Sequence, residues 1–376
     1  MPWKESSTMS MRLEFVRLAS APGANVQAIC AAYKVSRKTG YKWLKRFADE
    51  GEAGLADRSR RPHSSPSRSS EELEASVLRL HDAYDCWGSR KLQALLPQDS
   101  SLPHPSTIDA ILRRHGRQIH GSVKGSDAAT KRFEHAEPNM LWQMDFKGHF
   151  ALSNSRAGRC HPLTVLDDHS RFNLCLAACA NEQTGTVKAA LTTTFERYGL
   201  PDRITTDNGP PWGLPRGMGI STLEAWLIRL GIRVSHSRPY HPQTQGKDER
   251  FHRTLKLELI TRRGFQTIAD CQAAFDEWRS IYNHLRPHHA LDHATPINRY
   301  RRSGREFPAV LPPVEYLPGD RVLKVRGNGH VMLKKHECFI GEGLIGHEIA
   351  LRPTGVDGVY RVYFCGTELH EIDMTK

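Results

Sequence analysis

The sequence predicts a multidomain chain: an all-α N-terminal region with tandem helix-turn-helix units, a central α/β core on a mixed sheet, and a small all-β domain of the SH3-like kind. Three observations predict it. Up to about residue 117 the apolar residues recur at helical spacing between capping Ser or Asn and stopping Gly. At Pro138 the texture changes to three strand-like segments followed by alternating helix and strand. Beyond about residue 310 only short strands remain, punctuated by Gly and Pro. At 376 residues the chain is long enough for several cores. The boundaries read as 1–53 and 71–117 for two helix-turn-helix domains, 54–70 for a basic linker, 118–138 for a connector, 139–305 for the core and 306–376 for the β domain.

In the first unit, "MRLEFVRLAS" ends at "PG", "NVQAICAAY" opens at a capping Asn25, and "VSRKTGYKWLKRFADEG" opens at Ser36 and stops at Gly51. A short helix, a tight turn and a cationic third helix form the helix-turn-helix pattern, with Arg37, Lys38, Lys42 and Lys45 facing a DNA groove or its phosphates. The plainer alternative is a small bundle with a solvated basic face. The segment "GLADRSRRPHSSPSRSS" is nearly free of apolar residues, and its Arg58, Arg60 and Arg61 suit a phosphate backbone. The second unit runs from Ser70 to Gly116. Its last helix, "PSTIDAILRRHG", is expected to open at Ser106 and to place Arg113 and Arg114 at a DNA-facing end.

Charge agrees with a polyanionic partner. The net charge of +12 divides into +6 for residues 1–138, +7 for 139–309 and −1 for 310–376. The eight cysteines form no CxxC pair, which argues against a zinc ribbon or a disulfide framework, and Cys175 and Cys179 read as core thiols. No apolar run is long enough to span a membrane and the N-terminus has no secretory pattern, so a cytoplasmic protein is expected, of bacterial type and associated with the nucleoid when on DNA.

Three acids stand out by position. Asp145 lies within a strand in "LWQMDFKG", Asp207 ends a strand in "RITTDNGPP", and Glu249 follows 42 residues later near the start of a helix, in "HPQTQGKDERFHRTLK". Ionised acids are rare in strand interiors. Strand centre, strand end and helix can meet at one sheet edge, where carboxylates suit Mg²⁺, a hard cation that keeps positions open for phosphate oxygens. Two such ions clamp the attacking and leaving oxygens of a phosphoryl displacement, and the cations around Glu249 hold the DNA backbone nearby. Asp248 is turned about 100° from Glu249, so only one of the two faces the metals. Arg253 and Lys256 follow on the face of Glu249 and read as a grip on the DNA end, the plain alternative being a Glu–Arg helix pair. Asp167 and Asp168 read as structural caps.

"WQMDFKG", "VLDDHSR", "TTDNGPPW" and "HPQTQGKDERFHRTLK", followed by "IYNHLRPHHALDHATP", together resemble the catalytic core of the DDE insertion-sequence transposases related to retroviral integrases, over roughly residues 135–300. The resemblance implies an RNase H-like fold, Asp145, Asp207 and Glu249 as catalytic and metal-binding triad, and two Mg²⁺ ions that Mn²⁺ replaces. It also implies terminal inverted repeats and target DNA as partners, 3′-end cleavage followed by strand transfer, and a homodimer or higher homo-oligomer on DNA. The spacing from Asp207 to Glu249 is longer than in many relatives, the extra length falling in "PWGLPRGMGISTLEAW", and no His/Cys zinc module precedes the core. Two rival readings are a DNA-binding repressor with an inert core and a nuclease that cuts RNA–DNA hybrids.

Overall fold

The computed structural model describes residues 7–59, 68–99, 102–118, 134–154, 156, 158–214, 219–236, 246–333 and 335–375, in two compact units divided at Ser70. The expected contacts Arg60 and Arg61 lie outside the described residues.

Unit one holds α1 (Thr8–Ala19), α2 (Val26–Ala32) and α3 (Arg37–Glu50). Each helix begins where a side chain accepts a free backbone N–H: Ser7 from Ser10, Asn25 from Ala28, Ser36 from Thr39. Phe15, Val16, Cys30, Trp43 and Leu55 form its core. Gly54 and Leu55, assigned from sequence to the linker, are buried in this core, so the unit extends beyond residue 53. Close packing of α2 on α3 depends on Gly40, where an added Cβ would stand 2.5 Å from Cys30 Sγ and 2.9 Å from Phe15.

Unit two begins with α4 (Glu71–Ala83), α5 (Ser89–Leu95) and α6 (Pro105–Arg114) around Val77, Trp87, Leu92, Ile108 and Ile111. Helix α6 opens two residues earlier than expected: Pro105, with no N–H to satisfy, takes the first helical place and His104 caps it instead of Ser106.

The central sheet contains β1 (Trp142–Phe146), β2 (Phe150–Ala151), β3 (Arg159–Asp167), β4 (Asn173–Cys179), β5 (Arg203–Thr206) and β6 (Arg233–His236). Strand β1 lies between β3, antiparallel, and β5, parallel; β6 extends the parallel side and β4 pairs the far edge of β3. Helices α7 (Thr184–Tyr198) and α8 (Thr222–Arg229) cover one face, packing on Trp142, Met144, Leu163 and Val165. Helices α9 (Gly246–Leu255) and α10 (Ile268–His284) cover the other through Phe251, Leu255, Phe275 and Trp278. Alternation along β1 thus sends Trp142 and Met144 to the α7–α8 face and Gln143 and Asp145 to the α9 face. Ile281 and Leu285 join the α4–α6 core, so that helical unit rests on α10.

The C-terminal region is all-β: a four-stranded antiparallel sheet of β7 (Arg321–Lys324), β10 (Glu348–Pro353), β11 (Val359–Phe364) and β12 (Thr367–Asp373), with a hairpin of β8 (His330–Leu333) and β9 (His336–Phe339). Its core takes in Ala225 and Ile228 of α8. All eight cysteines are free, and Cys175 and Cys179 are buried.

Two glycines test this packing. Gly40→Val is expected to lower stability by about 1–3 kcal/mol through overpacking. Gly185→Ala, in the first turn of α7 with open space around it, is expected to raise stability by about 0.5–1 kcal/mol. Urea unfolding of both variants measures this, and a silent Gly40→Val contradicts the close approach of α2 and α3.

Candidate active site

Strand pairing brings the first two acids together. Trp142 pairs with Ile204 and Gln143 with Thr205 across β1 and β5, so the same register carried two residues further sets Asp145 level with Asp207. Gly209 N–H donates to Asp207 Oδ1 at 3.0 Å, which fixes the turn that presents this carboxylate. Glu249 is exposed in the first turn of α9, the helix that covers Asp145.

The electrostatics are those of crowded acids. Burial, then the Asp207 carboxylate, and with them Glu182 and Glu249 push Asp145 up to about 7. Burial also raises Asp207, with Glu182 adding to it while Gly209 N–H and His236 oppose it. Asp248 is 1% exposed, neither of its carboxylate oxygens has a hydrogen-bond partner among the described residues, and burial followed by Asp145 and Asp168 raises it well above the carboxylate range. Asp248 therefore faces inward as a hidden acid whose ionisation burial opposes, while Glu249 stands exposed.

Other acids nearby are fully engaged. Asp167 accepts from Asn139 N–H at 2.7 Å and from Ser170 N–H and Oγ–H at 2.7 and 2.6 Å. Asp168 accepts from His135 N–H and Gln143 Nε2 at 3.0 and 2.9 Å and from the Lys247 ammonium. Burial works against its charge, but Lys247 and these donors hold Asp168 below the ordinary carboxylate value. Lys247 also donates to the Asp168 carbonyl at 3.1 Å, tying the first turn of α9 to the end of β3.

Sequence reasoning missed four contributors. Glu182, just past β4, adds negative potential and is held by His161 Nδ1 at 2.8 Å. Lys147, directly after β1, faces Lys256 closely enough to be lowered by it, burial being the larger cause. Thr164, opposite Asp145 in register, donates its hydroxyl to the Asp145 carbonyl at 2.9 Å. His252 packs beside Asp145, and burial followed by Lys147 pushes its ring down to about 4. Of these only His252 carried a sequence signal, three residues after Glu249 on one helix face.

The expected DNA contacts separate into free and committed side chains. Arg37, Lys38, Lys42 and Lys45 are all exposed on α3, as are Arg253 on α9 and Lys256 just beyond it. Arg58 pairs with Glu50 in an exposed ion pair. Arg113 is exposed, but Arg114 pairs with Glu74, whose side chain is 5% exposed and also takes His115 at 2.8 Å. Arg114 is thus a strut between α4 and α6, which removes it from the expected DNA face. Among the described residues no three metal-binding side chains are already gathered. The donor set nevertheless fits a hard divalent cation, since Asp145, Asp207 and Glu249 supply oxygens whose mutual repulsion such a cation would relieve.

Sequence comparisons agree with this layout. Family models described as integrase core domain match residues 135–242 and 230–296. A helix-turn-helix domain matches 11–63, a homeodomain-like domain 39–112, and the C-terminal domain of the IS481 family transposases 320–376. The chain is similar to insertion-sequence transposases and to proteins that carry an integrase core. It is 26% identical over 234 residues to a 31.7 kDa protein of insertion element IS407 from Burkholderia multivorans, covering 61% of this chain and 81% of that one. It is 27% identical over 249 residues to a 39.2 kDa protein of insertion element IS476 from Xanthomonas euvesicatoria, covering 65% and 69%. Among solved structures, the HTLV-2 integrase catalytic core in complex with magnesium aligns at a TM-score of 0.35 and 18% identity, covering 45% of this chain and 100% of that one. No helix among the described residues is long and apolar enough to cross a membrane.

The raised Asp145 gives a signed pH dependence. With its folded value near 7 and its unfolded value at the ordinary 3.8, stability is lost as pH rises from the lower value through the upper one. In EDTA, Asp145→Asn is therefore expected to be more stable than the natural protein, by a margin that widens from about pH 4 to pH 7 and reaches on the order of 2 kcal/mol. Denaturant midpoints across that range check it; a margin independent of pH contradicts the crowded-acid site.

Proposed function

We propose that this transposase cuts and joins DNA with Asp145, Asp207 and Glu249 as its metal-binding triad, acting on the terminal inverted repeats of its mobile element. The observation that carries the reading is Asp145. A strand-interior carboxylate, level with Asp207 and beneath the helix that bears Glu249, is held up to about 7 by burial and by its acidic neighbours.

In the first step a water oxygen attacks the phosphodiester at the element's end. The bond to the element's 3′ oxygen breaks, leaving a 3′-OH on the element and a 5′-phosphate on the flank. In the second step that 3′-OH attacks a target phosphodiester, losing its proton, and the target's own 3′ oxygen leaves. Mg²⁺, with Mn²⁺ as substitute, would supply charge stabilisation on the attacking and leaving oxygens when bound to the triad as a pair. The chain's own residues do the positioning. Lys247 on Asp168 fixes the start of α9 and hence Glu249. Lys147, Arg253 and Lys256 offer cations to the phosphates of the DNA end, and α3 offers Arg37, Lys38, Lys42 and Lys45 to the repeat, with Arg58 and Arg113 as outlying contacts. Joining two ends in concert requires at least two copies, so a homodimer or larger assembly forms on DNA.

Purified protein incubated with labelled element ends and Mg²⁺ or Mn²⁺ tests this. Asp145→Asn is expected to lose at least about 100-fold in both cleavage and joining while still retarding the DNA. A variant as active as the natural protein refutes the site. Binding without any metal-dependent cleavage favours the repressor, and fragments without joined strands favour a nuclease.

A further inference from the structure

The hydrogen bonds around His252 leave one nitrogen lone pair aimed at the site. Thr164 Oγ1 has a single proton, and it is spent on the Asp145 carbonyl, an acceptor only, at 2.9 Å. The 2.8 Å contact between that hydroxyl and His252 Nε2 must then be donated by the ring, so Nε2 carries its proton. The ring's other nitrogen, Nδ1, faces Asp145 Oδ2 at 3.9 Å, beyond hydrogen-bond reach.

A cation placed between Nδ1 and Oδ2 would bridge such a gap. Metal–nitrogen and metal–oxygen bonds of about 2.1 Å span at most about 4.2 Å between their outer atoms. The observed 3.9 Å falls inside that span. His252 also follows Glu249 by three residues on α9, the Glu-x-x-His spacing that puts a carboxylate and an imidazole on one helix face toward one ion.

We propose that His252 Nδ1 is a direct ligand of the divalent cation held by Asp145 and Glu249, making this a mixed nitrogen–oxygen site. The proposal rests on the metal-binding triad argued above. It implies a preference for Mn²⁺ over Mg²⁺, because imidazole suits transition ions whereas carboxylates serve both. Thr164 is the positioning residue that fixes which ring nitrogen is free.

Pulsed electron paramagnetic resonance of Mn²⁺ bound to the tag-free, full-length protein tests it. The natural protein is expected to show a ¹⁴N coupling from coordinated imidazole, which becomes a ¹⁵N coupling when only the histidines are labelled with ¹⁵N; this arm needs no variant. His252→Gln is expected to retain Mn²⁺ through the carboxylates, lose the nitrogen coupling, and bind Mn²⁺ about tenfold more weakly with Mg²⁺ affinity little changed. Bound Mn²⁺ without nitrogen coupling in the natural protein overturns the ligand assignment, as does a coupling that survives His252→Gln. If Asp145→Asn binds Mn²⁺ as tightly as the natural protein, the triad itself is wrong and the inference falls with it.

Discussion

One electrostatic conflict marks the core: Asp145 lies near enough to Asp207, Glu182 and Glu249 for their charges to oppose its ionisation. Asp145 keeps its proton up to about 7, and burial alone is not the cause, since Asp207, Glu182 and Glu249 each add to it. The adjacent pair shows what resolved acids look like in the same sheet. Asp167 and Asp168 are equally hidden, yet Asp167 has Ser170 and Asn139 as donors and Asp168 has Lys247, His135 and Gln143. The same sheet thus satisfies two buried acids with donors and leaves Asp145 under the repulsion of its acidic neighbours.

Helix α9 carries the consequence. Its inner face is anchored by Phe251 and Leu255 in the core shared with α10, and its first turn is tied to β3 by Lys247. Those anchors set Glu249 and His252 over β1. The polypeptide then relaxes into a π-helical turn, Lys256–Ile260, whose Glu258 receives Arg286 at 2.9 Å and approaches Lys91 of the second helical unit at 4.0 Å. Helix α9 is thus continuous with the contact by which the second helical unit rests on the core, and the C-terminal sheet rests on α8 of the opposite face. The core is gripped from both sides of its sheet.

Much of this was legible in the sequence because it follows from local chemistry. Asn25 and Ser36 announce helix starts through hydrogen bonds spanning three residues, and "LWQMDF" announces a buried strand with an acid on its second face by alternation alone. The integrase-like order of motifs set Asp145, Asp207 and Glu249 in one expected site. What stayed hidden depends on partners far away in the chain. Arg114 looked free until Glu74 of another helix captured it. Gly54 and Leu55 looked like linker because their burial comes from α1 and α3. The burial of Asp248 stayed hidden because nothing in "GKDER" reveals that the helix turns it inward, 1% exposed and with no hydrogen-bond partner among the described residues. The free nitrogen of His252 depends on a threonine 88 residues earlier.

The most direct test of a cation-completed acid site is anomalous diffraction from crystals of the full-length protein soaked in Mn²⁺. The account predicts Mn²⁺ density between the Asp145, Asp207 and Glu249 carboxylates, with His252 Nδ1 at bonding distance and Asp248 still buried behind them. Crystals that accept Mn²⁺ elsewhere while those three carboxylates remain apart and bare would contradict it.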